Sequence, residues 1–132
     1  ALTTANKDLL KEYEVLSWSQ RTMQSPVMIQ VEQMKLDELL EGNDISEGFD
    51  VLSVDVEGCE AAVFAGFTLA RWKPKVMIVE LVDINKSLKV TRSKDTELLR
   101  AILNEGYDIV YKDYINTVFV RRDIRDAVNA QG

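Results

Sequence analysis

FDVLSVDVEGCE, residues 49–60, is the stretch whose reading decides the fold. Val51–Val54 is nearly all apolar, as a parallel strand buried on both faces should be. It then breaks into Asp55, Glu57 and Gly58, and the small-residue pattern Ala61, Ala62, Val63, Phe64, Ala65 and Phe67 predicts a helix packed on a sheet. A buried strand that opens into acids and a glycine before a helix marks the strand mouth of an open α/β sheet. Ligands of such folds sit outside the carboxyl ends of the strands.

Working outward, Val27–Met34 (VMIQVEQM) partly alternates and predicts a strand. Lys35–Glu41 places Leu36, Leu39 and Leu40 on one helical face, and Gly42-Asn43 ends that helix. Asp37 lies in its first turn, where it reads equally as a helix-start acid and as a functional group. Trp72-Lys73-Pro74 reads as a loop, and Val76–Val82 is a second buried-type strand interrupted only by Glu80. Asp83–Lys94 is polar and aperiodic, a loop over the strand end. Asp95 or Thr96 then caps a helix through Leu98, Leu99, Ile102 and Leu103, which Gly106 stops. Tyr107–Tyr111 and Thr117–Val120 form a hairpin, and Asp123–Gly132 adds a helical turn or more. Residues 1–25 fit either a short helix capped by Thr4 or Asn6 or a strand over Tyr13–Trp18. Strands alternating with helices imply an α/β fold with a mostly parallel sheet, closed by an antiparallel hairpin.

The 132 residues suffice for one domain, and 46% hydrophobic with 29% charged residues suits a globular chain. The net charge is −6 and the cations are scattered, which excludes the footprint of a nucleic-acid binder or of a protein held on an anionic membrane. There is no histidine, so Ser-His-Asp and Cys-His catalysis and imidazole metal sites are excluded. The single cysteine, Cys59, permits neither an internal disulfide nor a cysteine-based metal site. No apolar run approaches the roughly 20 residues that span a bilayer, and the N-terminal residues lack a signal-peptide pattern. A reducing, cytoplasmic setting is expected. No GxGxxG, Walker A or zinc-type spacing occurs.

Chemistry therefore falls to carboxylates, Lys, Tyr or a cofactor. Asp55 and Glu57 share a face if strand geometry persists past Val54. With Glu80 at the end of the adjacent strand they can bind a hydroxyl or amine, hold a divalent cation, or act as a base whose pKa is raised by burial or a like charge. Gly58 permits close backbone approach. The competing reading, at even odds, is that Asp55 and Glu57 only cap the following helix, with Glu60 in its first turn. An acid inside VMIV-E-LV is harder to reduce to structure, because burying it unpaired is costly. Cys59 reads as a packing residue, Lys73 and Lys75 as solvated charges, and Tyr107, Tyr111 and Tyr114 as packing residues.

The run FDVLSVDVEGCEAAVFAGF resembles the signature of FkbM-type methyltransferases, Ile/Val-Asp-x-Glu-Gly-x-Glu between a strand and a helix. VEQMKLDELL upstream, and PKVMIVELV and LLRAILNEGYDIVYKDYINTVFVRRD downstream, resemble the flanking elements, so the likeness covers residues 27–123. It implies a Rossmann-like class I fold, S-adenosylmethionine as cofactor, and methylation of oxygen on a small molecule or sugar. It further implies that Asp55, Val56 and Gly58 contact the cofactor, with Asp55 close to its methionine end and the transferring methyl. On the same resemblance Glu57 and Glu80 face the acceptor, and Asp55, Glu57 and Glu80 are the catalytic residues. The family's first strand, glycine-rich loop and ribose-binding acid fall upstream of the matched region. The chain accordingly reads as a partial domain, the C-terminal half of a methyltransferase lacking the N-terminal cofactor-binding half. An open edge and apolar face of that half-sheet favour a homo-oligomer. Two alternatives stand beside this reading: a non-catalytic interaction module of the same fold, and a divalent-metal site built from Asp55, Glu57 and Glu80.

Overall fold

The computed structural model describes residues 5, 29–81 and 89–130, with side chains of the helix that starts at Lys89 described from Asp95 onward. In chain order the elements are α1 (Leu36–Gly42), β1 (Val51–Val54), α2 (Glu60–Ala65), α3 (Leu69–Trp72), β2 (Val76–Glu80), α4 (Lys89–Asn104), β3 (Tyr107–Lys112), β4 (Asn116–Arg121) and α5 (Arg122–Asn129). The chain is thus α/β among these residues.

The described sheet runs β1-β2-β4-β3. β1 and β2 are parallel with Val54 opposite Val79, whereas β2–β4 and β4–β3 are antiparallel. It is a mixed sheet, not the mostly parallel one expected. The reason is topological: β4 enters between β2 and β3, so the closing hairpin supplies both antiparallel pairings.

Alternation sorts the strands into two faces. Val54, Met77, Val79, Thr117 and Phe119 are buried on one face. There the apolar ones join Leu69, Trp72, Leu98 and Ile102 from the helices, and Phe67 from the connection between α2 and α3, in one cluster. Burying such side chains stabilises by about 1.5–3 kcal/mol each. On the other face Val76, Ile78, Val118 and Val120 are half-buried, and at the β1 edge Val51 is 54% exposed.

The second strand and the hairpin form as expected. The strand expected at Val27–Met34 does not: residues 29–34 are irregular, with Ile29, Val31 and Met34 exposed, and residues 27–28 lie outside the described part. Local alternation there meets no described neighbouring strand to pair with, and pairing is what stabilises a strand. Residues 1–25, apart from Ala5, also lie outside it, as do residues 82–88. The loop expected through Lys94 is overturned from Lys89 onward, since α4 begins there and Asp95 and Thr96 are interior to it. Once the packed half around Leu98 and Ile102 is helical, adding residues upstream costs no new nucleation.

Trp72 is not in a loop either. It ends α3 and is 1% exposed, and Lys73 takes a left-handed conformation (φ 45°) at the C-cap before Pro74. The bend is secured by the Tyr107 hydroxyl, which donates to the Pro74 carbonyl at 2.7 Å in the core. Tyr107 packs as expected, whereas Tyr111 and Tyr114 are 56% and 76% exposed. Cys59 is a free, half-buried thiol at the N-cap of α2. Lys75 is an exposed charge, as expected, paired with Asp50 at 2.6 Å.

Candidate active site at the strand mouth

Because Val54 pairs with Val79 in the parallel β1–β2 ladder, the next residues, Asp55 and Glu80, emerge side by side at the carboxyl edge. Glu80 ends β2 and hydrogen-bonds Asp55. The face-sharing expected of Asp55 and Glu57 does not arise from strand geometry. β1 stops at Val54, and Glu57 and Gly58 both take positive φ, 49° and 84°. For Glu57 this is a strained, left-handed conformation; for Gly58 it carries no Cβ penalty.

The helix-cap reading of these acids also fails. The N-cap of α2 is Cys59, with no side-chain cap hydrogen bond. The carboxylate that organises the turn is Glu60, which sequence reasoning treated only as a first-turn acid. It is 2% exposed. Its Oε1 accepts the amide hydrogens of both Val56 and Gly58, each at 3.2 Å. The signal in the sequence was its spacing, two residues past a glycine able to bring the amides round.

The electrostatics follow from gathering four acids. Burial, then the hydrogen bond and charge of Asp55, then the charges of Glu57 and Glu60, push the Glu80 carboxyl up to about 8. The raised carboxyl favours the protonated form of Glu80, which is the donor in its hydrogen bond with Asp55. One of its oxygens, Oε2, is buried without a hydrogen-bond partner. Burial, with the charges of Asp55 and Glu60, also raises the Glu57 pKa. A protonated acid beside a carboxylate is an arrangement for moving protons or holding a hydroxyl. Among the described residues no group of three or more His, Cys, Asp or Glu is disposed to hold a metal ion. The carboxylate–metal alternative for Asp55, Glu57 and Glu80 thus has no geometric support.

The methyltransferase FkbM domain matches residues 4–109, most of the chain. The chain belongs to the FkbM methyltransferase family. The match starts upstream of the segment whose motifs are legible by inspection, and it contains Asp55, Glu57, Glu60 and Glu80. No curated protein and no solved structure matches the chain significantly. Among the described residues no helix is long and apolar enough to cross a membrane.

A second acid takes a role that sequence left open. Asp37, in the first turn of α1, reaches across to α3: its carboxylate accepts from the Thr68 amide at 2.8 Å and the Thr68 hydroxyl at 2.6 Å. It also accepts from the Trp72 indole at 2.8 Å. In this FkbM chain Asp37 is a structural clasp between α1 and α3. Arg71 reinforces it by pairing with Glu41 and Glu47 and lying 4.5 Å over the Trp72 ring.

Proposed function

We propose that this chain contributes the acidic strand mouth of an S-adenosylmethionine-dependent methyltransferase with a Rossmann-like architecture, acting on a hydroxyl oxygen of a small molecule or sugar. The observation that carries the reading is the convergence of Asp55, Glu57 and Glu80 at the mouth of adjacent parallel strands, in a chain of this family. The bound cofactor would supply an electrophilic methyl group on a sulfonium.

The chain's own groups have complementary tasks. Asp55 is exposed at the rim, and a carboxylate there suits the ammonium of the cofactor's methionine end. Val56, 36% exposed, offers apolar surface, and Gly58 offers approach without a Cβ. Their amides are already engaged by Glu60, so neither residue serves as an amide donor. The acceptor's hydroxyl proton would pass to a carboxylate oxygen of Glu57 or Asp55. Protonated Glu80 holds Asp55 in place and donates a hydrogen bond. Positioning and proton removal are the main demands of such a displacement, and carboxylates meet both without histidine.

Isothermal calorimetry with S-adenosylmethionine tests the reading. Binding that is lost in Asp55→Ala while the variant still melts cooperatively supports it. A wild-type chain that binds no cofactor overturns it in favour of the non-catalytic interaction module.

A further inference from the structure

We infer that Glu60 is a positioning residue of the strand mouth, which holds the Asp55–Gly58 turn in the shape that presents Glu57 beside Asp55 and Glu80. Its consequence for catalysis rests on the methyltransferase reading above, whereas its hold on the turn does not.

The argument starts from cost. A carboxylate that is 2% exposed must be compensated by hydrogen bonds, and here two backbone amides converge on a single oxygen. The Ala62 and Val63 amides of the helix donate separately to the Cys59 carbonyl. The two amides from which Glu60 accepts both belong to the turn before the helix. Glu57 and Gly58 both take positive φ, and this turn brings the Val56 and Gly58 amides onto one oxygen of the chain's own Glu60. Removing the acceptor takes away the bonds from the Val56 and Gly58 amides and what they contribute to offsetting the strained backbone of Glu57. The turn then relaxes and Glu57 leaves its neighbours.

Two substitutions in the whole chain separate the acceptor from mere volume. Glu60→Met keeps the bulk of a buried side chain and removes the acceptor, whereas Glu60→Gln keeps an acceptor oxygen and removes the charge. Amide hydrogen exchange at Val56 and Gly58 is read against Val79 in the core. In Glu60→Met both turn amides should exchange at least about tenfold faster with Val79 unchanged, while Glu60→Gln stays near wild type. Equal protection in all three proteins overturns the assignment, as does a loss in Glu60→Gln equal to that in Glu60→Met. Should Glu60→Met not fold, the wild-type protein decides. Exchange of the amides for deuterium must shift the Glu60 carboxyl carbon resonance, and the absence of a shift overturns the assignment.

S-adenosylhomocysteine affinity supplies the functional arm. Weakening of about tenfold or more in Glu60→Met with recovery in Glu60→Gln supports positioning. Wild-type affinity in Glu60→Met overturns it. A wild-type chain that does not bind the probe overturns the methyltransferase reading instead, and the amide exchange still judges Glu60.

Discussion

Asp37 and Trp72 lie 35 residues apart, and the Trp72 indole Nε1 donates to Asp37 Oδ1 at 2.8 Å. That bond, with the two from Thr68, ties α1 to α3 near the amino ends of β1 and β2. Asp37→Ala strands the nitrogen of a fully buried tryptophan and uncaps α3, and should cost roughly 2–3 kcal/mol. Asp37→Asn retains one acceptor oxygen and should cost less. Urea unfolding of the variants at neutral pH measures both. Burial opposes ionisation of Asp37. The hydrogen bonds from Thr68 and Trp72 and the charge of Arg71 outweigh it and lower the carboxyl below its ordinary 3.8. The contribution is therefore complete above that value and disappears as pH falls through the lowered one, so Asp37→Asn should flatten the acid limb of the stability profile.

Glu80 gives the opposite sign. Its carboxyl is raised from 4.5 to about 8, foremost by burial and then by Asp55. Between those values the folded chain binds more protons than the unfolded one, so stability declines as pH rises through that window. Glu80→Gln stays neutral and should lessen the decline, seen as a smaller drop in Tm between mildly acidic and mildly alkaline buffer. An unchanged slope would remove Glu80 as the proton carrier.

Gly58→Ala places a Cβ on a residue with φ of 84°. It should destabilise by roughly 1–2 kcal/mol, the usual penalty of a left-handed conformation for a residue with a side chain. Thermal unfolding followed by circular dichroism reads the loss. On the proposed reading S-adenosylmethionine affinity should fall with it, because Gly58 offers the cofactor approach without a Cβ.

Thr117 is fully buried opposite Val79, and its hydroxyl has no hydrogen-bond partner. Thr117→Val exchanges an unsatisfied hydroxyl for a methyl of the same shape and should stabilise by about 1 kcal/mol. A loss of stability in denaturant titration would show that the hydroxyl is satisfied in solution.

What was legible in the sequence was local. Val51–Val54 and Val76–Glu80 were legible as strands from their apolar runs. The burial on both faces expected of Val51–Val54 is overturned: β1 lies at the edge of the described sheet, with Val51 exposed and only Val54 buried. The hairpin at Tyr107–Arg121 was legible from two β-rich runs about a polar turn. There Asp113 accepts the amides of Ile115 and Asn116 at 2.8 Å and 2.7 Å. The strand at Val27–Met34 and the loop before Asp95 were misread for one reason. Weak local patterns yield to whether a neighbour exists to pair with or a packed helix exists to extend.

The sequence by itself determined the α/β class, the FkbM motif, and the placing of Asp55, Glu57 and Glu80 near strand ends. These depend on the order of apolar, glycine and acidic residues along the chain. The tertiary structure alone decided three other matters: that β4 lies between β2 and β3, that Asp37 clasps Trp72, and that Glu60 turns back to hold the strand-exit turn. It also decided that burial and Asp55 raise the Glu80 carboxyl. Each depends on distances between residues remote in sequence, or on how far water is excluded around a charge, and neither is written in local pattern.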